Sequence, residues 1–141
     1  MPHCYLGLGS NLDSPERQLR RAIAALGKLP YSHITQVASF YHSKAWGRKA
    51  QPDYCNTVLA LKTRLSPEQL LYYCQKIESQ QGRIRKVRWG ARTLDIDILF
   101  YDSQKINSPT LQIPHPRLHE RDFVLLPLRE IAPNSNLFAN L

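Results

Sequence analysis

Two Ser-Pro-Glu triplets divide this chain into alternating strand and helix segments, and this alternation limits the folds open to it. Ser14-Pro15-Glu16 and Ser66-Pro67-Glu68 each combine an N-cap serine, a proline at the first helical position and an acid in the first turn. Apolar residues at helical spacing follow each triplet and end near Gly27 and Gly82. The sequence therefore predicts two amphipathic helices that begin at the triplets.

Strand-like apolar patterns flank both helices. The predicted strands are Tyr5–Leu8, His33–Tyr41, Asn56–Thr63 and Leu94–Tyr101. Gly9-Ser10-Asn11 has turn composition, so we expect a tight turn to be the role of Gly7 and Gly9. A short helix is predicted at Phe123–Ile131. The order predicts an α+β fold: a ferredoxin-like βαββαβ antiparallel sheet, with both helices packed on one face and a short C-terminal extension.

The length and charge of the chain set the general class. Its 141 residues predict one domain spanning 1–141. Nineteen Lys and Arg against eleven Asp and Glu give a net charge of +8, which attracts nucleotides, nucleic acid or an acidic membrane. No apolar run approaches the roughly 20 residues of a membrane span, and no secretory signal is visible, so we expect a cytoplasmic protein.

The three cysteines are widely spaced and form no CxxC pair. Neither a disulfide framework nor a zinc site follows from this spacing. Cys55 and Cys74 lie within apolar patterns, and free cysteine is among the most buried residue types, so these two are expected to be buried, reduced thiols.

The segment Leu94-Asp95-Ile96-Asp97-Ile98 carries the clearest chemical signal. Side chains alternate faces along a strand, so Asp95 and Asp97 should share one face, with Cα atoms roughly 6–7 Å apart. Two solvated aspartates are the simpler alternative. Aspartate is a poor strand residue, however, and a carboxylate pair supplies the oxygen ligands that Mg²⁺ prefers. The sequence therefore predicts a metal site at these aspartates.

A cluster of five basic side chains precedes the aspartates. Its members are Arg83, Arg85, Lys86, Arg88 and Arg92. A solvated loop would be the usual interpretation, but guanidinium groups suit bidentate phosphate contacts. Metal between phosphate and aspartate, with arginine on the remaining oxygens, is the recurring arrangement for phosphoryl transfer. The chain has neither a P-loop nor a protein-kinase glycine loop.

The twelve residues Arg88-Trp89-Gly90-Ala91-Arg92-Thr93-Leu94-Asp95-Ile96-Asp97-Ile98-Leu99 resemble the signature of the 6-hydroxymethyl-7,8-dihydropterin pyrophosphokinase family of folate biosynthesis. Further motifs fall in the order of that family. They are Gly9-Ser10-Asn11, Gln51-Pro52-Asp53-Tyr54-x-Asn56, Glu78-x-Gln80-Gln81-Gly82-Arg83, Pro114-His115-Pro116-Arg117 and Arg121-x-Phe123. The resemblance covers essentially the whole chain.

The resemblance implies an ATP-dependent transferase that moves an intact pyrophosphate group to the pterin hydroxymethyl oxygen and releases AMP. It implies two Mg²⁺ ions with ATP, held by Asp95 and Asp97, and phosphate contacts from Arg83 and Arg92. Other implied nucleotide contacts are Gln75, Glu78, Arg85, Arg88, Ile98, His115 and Arg121, with Arg85 and Arg88 in a loop that closes over both substrates. A metal-bound Asp97 is a poor base, so no residue is assigned as the general base. Positioning and electrostatics are expected to supply much of the rate enhancement.

On the pterin side, the resemblance implies stacking by Tyr54 and Phe123 and edge recognition by Asn56. Ser43 stands where a threonine is common, and Trp89 is expected to fold over the site. Core packing is the alternative for the two aromatics of the stacking pair. Lys44-Ala45-Trp46 departs from the prolines usual at this loop, and the chain ends earlier than many family members.

Two alternative functions remain open on sequence grounds. One is a catalytically impaired homologue that binds pterin or nucleotide, favoured by the altered loop. The other is an RRM-like RNA-binding module, since the βαββαβ order and the basic charge suit one. The strands lack the paired exposed aromatics of such modules, and two aspartates repel a phosphate backbone. We therefore expect no nucleic-acid or membrane partner and a monomeric enzyme.

Overall fold

The computed structural model describes residues 1–11, 14–43, 54–82, 93–116, 118 and 122–132. Its strands are β1 His3–Ser10, β2 Ser32–Val37, β3 Tyr41–Ser43, β4 Tyr54–Thr63, β5 Asp95–Tyr101, β6 Ile106–Asn107 and β7 Gln112–Ile113. Its helices are α1 Pro15–Leu26, α2 Pro67–Gln80 and α3 Asp122–Ile131. The predicted α+β class and the short C-terminal helix are confirmed.

The main sheet is antiparallel, with the order β2-β4-β1-β5, and β3 pairs with β4 as well. Its four longer strands and the first two helices follow each other along the chain in the predicted βαββαβ order. Strands β6 and β7 form a separate two-stranded sheet. The central strands β1 and β4 are therefore flanked on both sides, whereas β5 lies at an edge.

Two apolar clusters fill the two faces of the sheet. One includes Leu6 and Leu59 of the sheet and side chains of α1 and α2, so both helices lie on one face, as predicted. The other includes Val58 and Leu99 and lies beneath α3. The third helix therefore covers part of the opposite face.

The predicted strand His33–Tyr41 is in fact two strands, β2 and β3, with residues 38–40 between them. The Thr57 hydroxyl donates to the carbonyl oxygens of Ala38 at 3.0 Å and Ser39 at 3.2 Å. A side chain thus satisfies carbonyl groups that a continuous strand ladder would bind. Apolar patterning alone does not show such a break.

The two Ser-Pro-Glu triplets begin their helices in different ways. At α2 the backbone N–H of Gln69 donates to Ser66 Oγ at 3.1 Å. The backbone N–H of Ser66 donates to the side-chain oxygen Oε1 of Gln69 at 2.9 Å, and the two bonds form a capping box. At α1, Ser14 has φ 61° and makes no side-chain cap bond. Residue 17 is an arginine, which has no acceptor to return the bond, so only α2 gains a reciprocal cap.

Cys55 and Cys74 are free and buried, as predicted, and Cys4 is free and buried as well. Among the described residues, no helix combines the length and the apolar composition that a membrane crossing requires.

Helix α3 is tied to the sheet through Glu130. Its carboxylate accepts a hydrogen bond from the Tyr41 hydroxyl at 2.7 Å and another from the Ser39 backbone N–H at 2.8 Å. These donors stabilise the ionised form, so they lower the pKa of Glu130, with the Tyr41 bond as the larger cause.

We expect the stabilising effect of Glu130 to depend on pH. Because its pKa is lower in the folded chain than in the unfolded chain, this stabilisation is present above the ordinary glutamate pKa of 4.5 and is lost as pH falls through the lowered value. Urea unfolding should show wild type more stable than Glu130→Gln at about pH 7, with the difference shrinking near pH ~3. The exposed Glu68→Gln variant is the control, and an equal difference at both pH values contradicts the assignment.

Candidate functional site

The two aspartates of β5 lie on one face of the sheet, as predicted from their spacing. Asp95 and Asp97 are half-buried, whereas Ile96 and Ile98 between and after them are buried on the other face. Two residues of strand rise place the two Cα atoms roughly 6–7 Å apart. This all-oxygen donor set fits a hard cation such as Mg²⁺.

A row of paired residues crosses the sheet from β5 to β4. Asp95 pairs with Gly9 on β1, and Gly9 pairs with Asn56 on β4. Paired residues of an antiparallel sheet share a face, and the two steps sum to about 10 Å. In the next row, Asp97 pairs with Gly7. The glycines leave no side chain standing between the carboxylates and Asn56.

Gly9 is required by a close approach, so the predicted turn at Gly7 and Gly9 is wrong. Both glycines lie inside β1. A Cβ atom at Gly9 would lie 2.7 Å from Asn56 Oδ1, closer than non-bonded atoms tolerate, whereas one at Gly7 would meet Leu99 at 3.4 Å. The Asn56 side chain therefore lies over the backbone of β1, and glycine is the residue that permits it.

The predicted pterin-side residues of β3 and β4 lie together. Asn56 is buried, and its Nδ2 donates to Ser43 Oγ across 3.4 Å, a long and weak hydrogen bond. Ser43 pairs with Tyr54, whose half-buried side chain lies two residues from Asn56 and hence on the same face. These three side chains form a polar and aromatic surface patch on the sheet face that also carries the two aspartates.

His115 lies next to the aspartates. Its Nε2 is 4.0 Å from Asp97 Oδ1, and its backbone N–H donates to the Leu99 carbonyl at 3.2 Å. The segment after β7 is thereby fixed against β5. Phe123, at the start of α3, is half-buried and packs against the cluster that lies under that helix.

Glu78, whose nucleotide contact stays a prediction, makes a contact with β5 that the sequence did not indicate. The side chain is buried on α2, and its carboxylate accepts a hydrogen bond from the Ile96 backbone N–H at 2.8 Å. Among the described strands β5 lies at the edge of the sheet, with no strand of that set beside this N–H. Glu78 therefore fixes β5 at the residue between Asp95 and Asp97.

Two predicted nucleotide residues lie away from the aspartate face. Ile98 is buried in the cluster between the sheet and the first two helices, so its side chain faces away from Asp97. Gln75 is exposed on α2. Contact of these two residues with the nucleotide stays a prediction. At Ile98 such a contact would be made by the backbone, because the side chain is buried on the other face.

The remaining predicted residues lie outside the described part of the chain. They are Arg83, Arg85, Arg88, Trp89, Arg92 and Arg121, together with the departing loop residues Lys44, Ala45 and Trp46. The arginine-rich segment lies in the sequence between Gly82, two residues after the end of α2, and Thr93, just before β5. Its predicted phosphate contacts therefore stay predictions.

Comparison with known proteins identifies the family. A model of the 7,8-dihydro-6-hydroxymethylpterin-pyrophosphokinase family matches residues 5–133. A relative from Haemophilus influenzae is 47% identical over 142 residues, covering 97% of this chain and 89% of its own. A second, from Pseudomonas aeruginosa, is 44% identical over 133 residues, covering 94% and 82%. Both are named 2-amino-4-hydroxy-6-hydroxymethyldihydropteridine pyrophosphokinase. This chain belongs to the 7,8-dihydro-6-hydroxymethylpterin pyrophosphokinase family.

Proposed function

We propose that this protein transfers pyrophosphate from ATP to 6-hydroxymethyl-7,8-dihydropterin, as a transferase of folate biosynthesis. The pterin hydroxymethyl oxygen forms a bond to the β-phosphorus of ATP and loses its proton to solvent. The bond from that phosphorus to the α-phosphate bridging oxygen breaks, and AMP leaves. Family membership and the names of the relatives support this reaction.

One observation carries the proposal: the carboxylate pair and the Asn56 amide share a sheet face, and within the described strands the residues between them are glycines of β1. The separation of about 10 Å across β1 suits a flat heterocycle whose edge is bound at Asn56 and whose hydroxymethyl group points towards Asp95. Substrate phosphates are then expected near β5. Such placement of two reactants gains rate by proximity and orientation.

Asp95 and Asp97 are the proposed ligands of two magnesium ions that accompany ATP. When bound, these ions would neutralise charge on the triphosphate. The aspartates themselves fix the position of the phosphates relative to the sheet. His115 beside Asp97 is a proposed phosphate contact, as are Arg83, Arg85, Arg88, Arg92 and Arg121.

On the pterin side, the amide of Asn56 offers both a donor and an acceptor to the edge of the ring. Its bond to the Ser43 hydroxyl helps to orient it. Tyr54 and Phe123 are the proposed stacking pair, since flat rings pack well against aromatic faces. Trp89 is proposed to cover the bound ring.

We also propose that Glu78 acts as a positioning residue for the aspartate strand. Glu78→Ala leaves the Ile96 N–H without its acceptor, which should cost about 1–3 kcal/mol of unfolding free energy. It should also raise the Mg²⁺ concentration needed for half-maximal activity, because Asp95 and Asp97 flank Ile96. Glu78→Gln keeps an acceptor oxygen and should recover much of both. An unchanged Mg²⁺ dependence in a destabilised Glu78→Ala variant would limit Glu78 to a structural role.

The proposed function is tested by mixing the protein with ATP, Mg²⁺ and 6-hydroxymethyl-7,8-dihydropterin and following the adenine nucleotide product. AMP formation that requires the pterin supports pyrophosphate transfer. ADP would indicate transfer of a single phosphate and contradict the proposal. Pterin binding without AMP would identify a catalytically impaired homologue, and RNA binding alone would favour an RRM-like module.

We further propose that residues 1–141 act as one catalytic domain and as a monomer, in the cytoplasm and without a nucleic-acid or membrane partner. Three buried free cysteines fit a reducing compartment. Sedimentation of the purified protein at several concentrations tests the monomer, because a self-associating chain would sediment faster at higher concentration.

A further inference from the structure

A second cluster of ligand-type side chains lies on the other face of the sheet. Glu16 is in the first turn of α1, His42 is on β3, and Cys55 is directly opposite His42 on β4. A carboxylate oxygen, a ring nitrogen and the thiol sulfur all lie within 4.8 Å of one another. The proposed reaction uses none of these three groups.

The distances in this cluster are close to those around a tetrahedral zinc ion. Zinc bonds of about 2.0–2.3 Å to oxygen, nitrogen and sulfur place neighbouring ligand atoms roughly 3.3–3.7 Å apart. His42 Nε2 and Glu16 Oε1 are 3.0 Å apart, and the other pairs lie within 4.8 Å. Shifts of about 1 Å in side chains suffice to enclose an ion.

Burial gives the cluster one fixed ligand and two adjustable ones. Cys55 is 1% exposed, whereas the side chains of His42 and Glu16 are 58% and 44% exposed. The sulfur is thus held by the core, and the two exposed groups can move onto an ion while leaving one position open to water. Nitrogen and sulfur ligands favour zinc over the magnesium of the aspartate site.

We propose that Glu16, His42 and Cys55 form a Zn²⁺ site with water as the fourth ligand. The site goes beyond the proposed pyrophosphate transfer. It links α1, β3 and β4 directly behind Ser43, Tyr54 and Asn56, which lie on the opposite face. The cysteine spacing gave no sign of it, because the ligands are separated by 26 and 13 positions and meet only in the folded chain.

Zinc binding must displace the thiol proton. Burial raises the pKa of Cys55 to about 11, the Glu16 carboxylate adds to this rise, and the Arg20 guanidinium opposes it. Cys55 is therefore a neutral thiol before zinc binds and a thiolate ligand afterwards, and one proton is released to solvent per ion. Affinity should rise about tenfold per pH unit between roughly pH 7 and 8.5, because each ion displaces one thiol proton.

Calorimetry with ZnCl₂ on the whole protein, without ATP or pterin, tests the site. We expect one Zn²⁺ per chain and an affinity reduced about 10- to 100-fold in both His42→Ala and Cys55→Ser. His33→Ala, an exposed histidine on β2, and Cys4→Ser, a buried cysteine on β1, are the matched controls and should bind as wild type. Arg20→Ala should bind more tightly, since Arg20 contacts Glu16 at 3.2 Å and opposes a cation there.

Cobalt substitution gives a second measurement that needs no variant to fold. Wild-type protein with Co²⁺ should show a sulfur-to-cobalt charge-transfer band and a tetrahedral visible spectrum. The absence of that band overturns the proposal. So does zinc binding that survives in Cys55→Ser but is lost in Asp97→Asn, because the ion would then occupy the aspartate face.

Discussion

Asp97→Asn is expected to lower kcat about 10³-fold while leaving the fold intact. The substitution removes one charged oxygen ligand from the pair on β5, and loss of a single group that stabilises developing charge typically costs 10²–10³ in kcat. The Asp97 side chain is 44% exposed, so the free energy of unfolding should change by less than about 1 kcal/mol. AMP release measured across a range of Mg²⁺ concentrations gives the first quantity, and urea unfolding gives the second.

A charge-matched control separates this effect from the overall charge of the protein. Glu68→Gln removes one carboxylate from the exposed first turn of α2, away from the aspartate face. It should keep activity near that of wild type. Near-normal turnover in Asp97→Asn at saturating Mg²⁺ would contradict the assignment of Asp97 as a metal ligand.

Gly9→Ala should raise the KM for the pterin about tenfold or more. The added Cβ would lie 2.7 Å from Asn56 Oδ1, so the amide must rotate away and give up its position beside Ser43. A binding site built to hydrogen-bond the substrate loses affinity when that group is displaced. Because the clashing atom is the end of a side chain, we expect unfolding free energy to fall by only about 1–2 kcal/mol. Steady-state kinetics with varied pterin measure the effect.

Gly7→Ala is the matched control for that result. It is the same substitution two residues earlier on the same strand face, but its Cβ meets Leu99 at 3.4 Å, an ordinary contact distance. The variant should keep the pterin KM within about threefold, because Asn56 keeps its place. Equal increases of KM in both variants would show that strand β1 as a whole, and not the approach of Asn56, controls pterin binding.

Local patterns predicted much of the site because they depend on neighbours in sequence. A strand repeats every two residues, so the shared face of Asp95 and Asp97 follows from the letters alone. The same holds for the start of α2, where Ser66 and Gln69 are three residues apart and close a capping box. At α1 the triplet marks the start of the helix but forms no side-chain cap, because the Ser14 backbone is left-handed where that of Ser66 is extended, and Arg17 offers no acceptor for a return bond.

Local sequence patterns could not predict features that depend on residues far apart in the chain. Gly9 has turn composition, yet its role is set by Asn56, a strand neighbour 47 positions away. Glu78 binds the Ile96 N–H only because β5 lies at a sheet edge. The break between β2 and β3 depends in the same way on the hydroxyl of Thr57.

The two helix starts, the shared face of the aspartates and, through the resemblance, the family could all be predicted from residues that are close together in the chain. Which residues lie beside those aspartates depends on contacts between distant segments. Pairing of β1 with β4 and β5 places Asn56 and Asp95 in one row across Gly9. On the other face, the pairing of β3 with β4 and the packing of α1 bring Glu16, His42 and Cys55 together. Strand order and register are collective outcomes of burying both faces of the sheet, so no local segment specifies them.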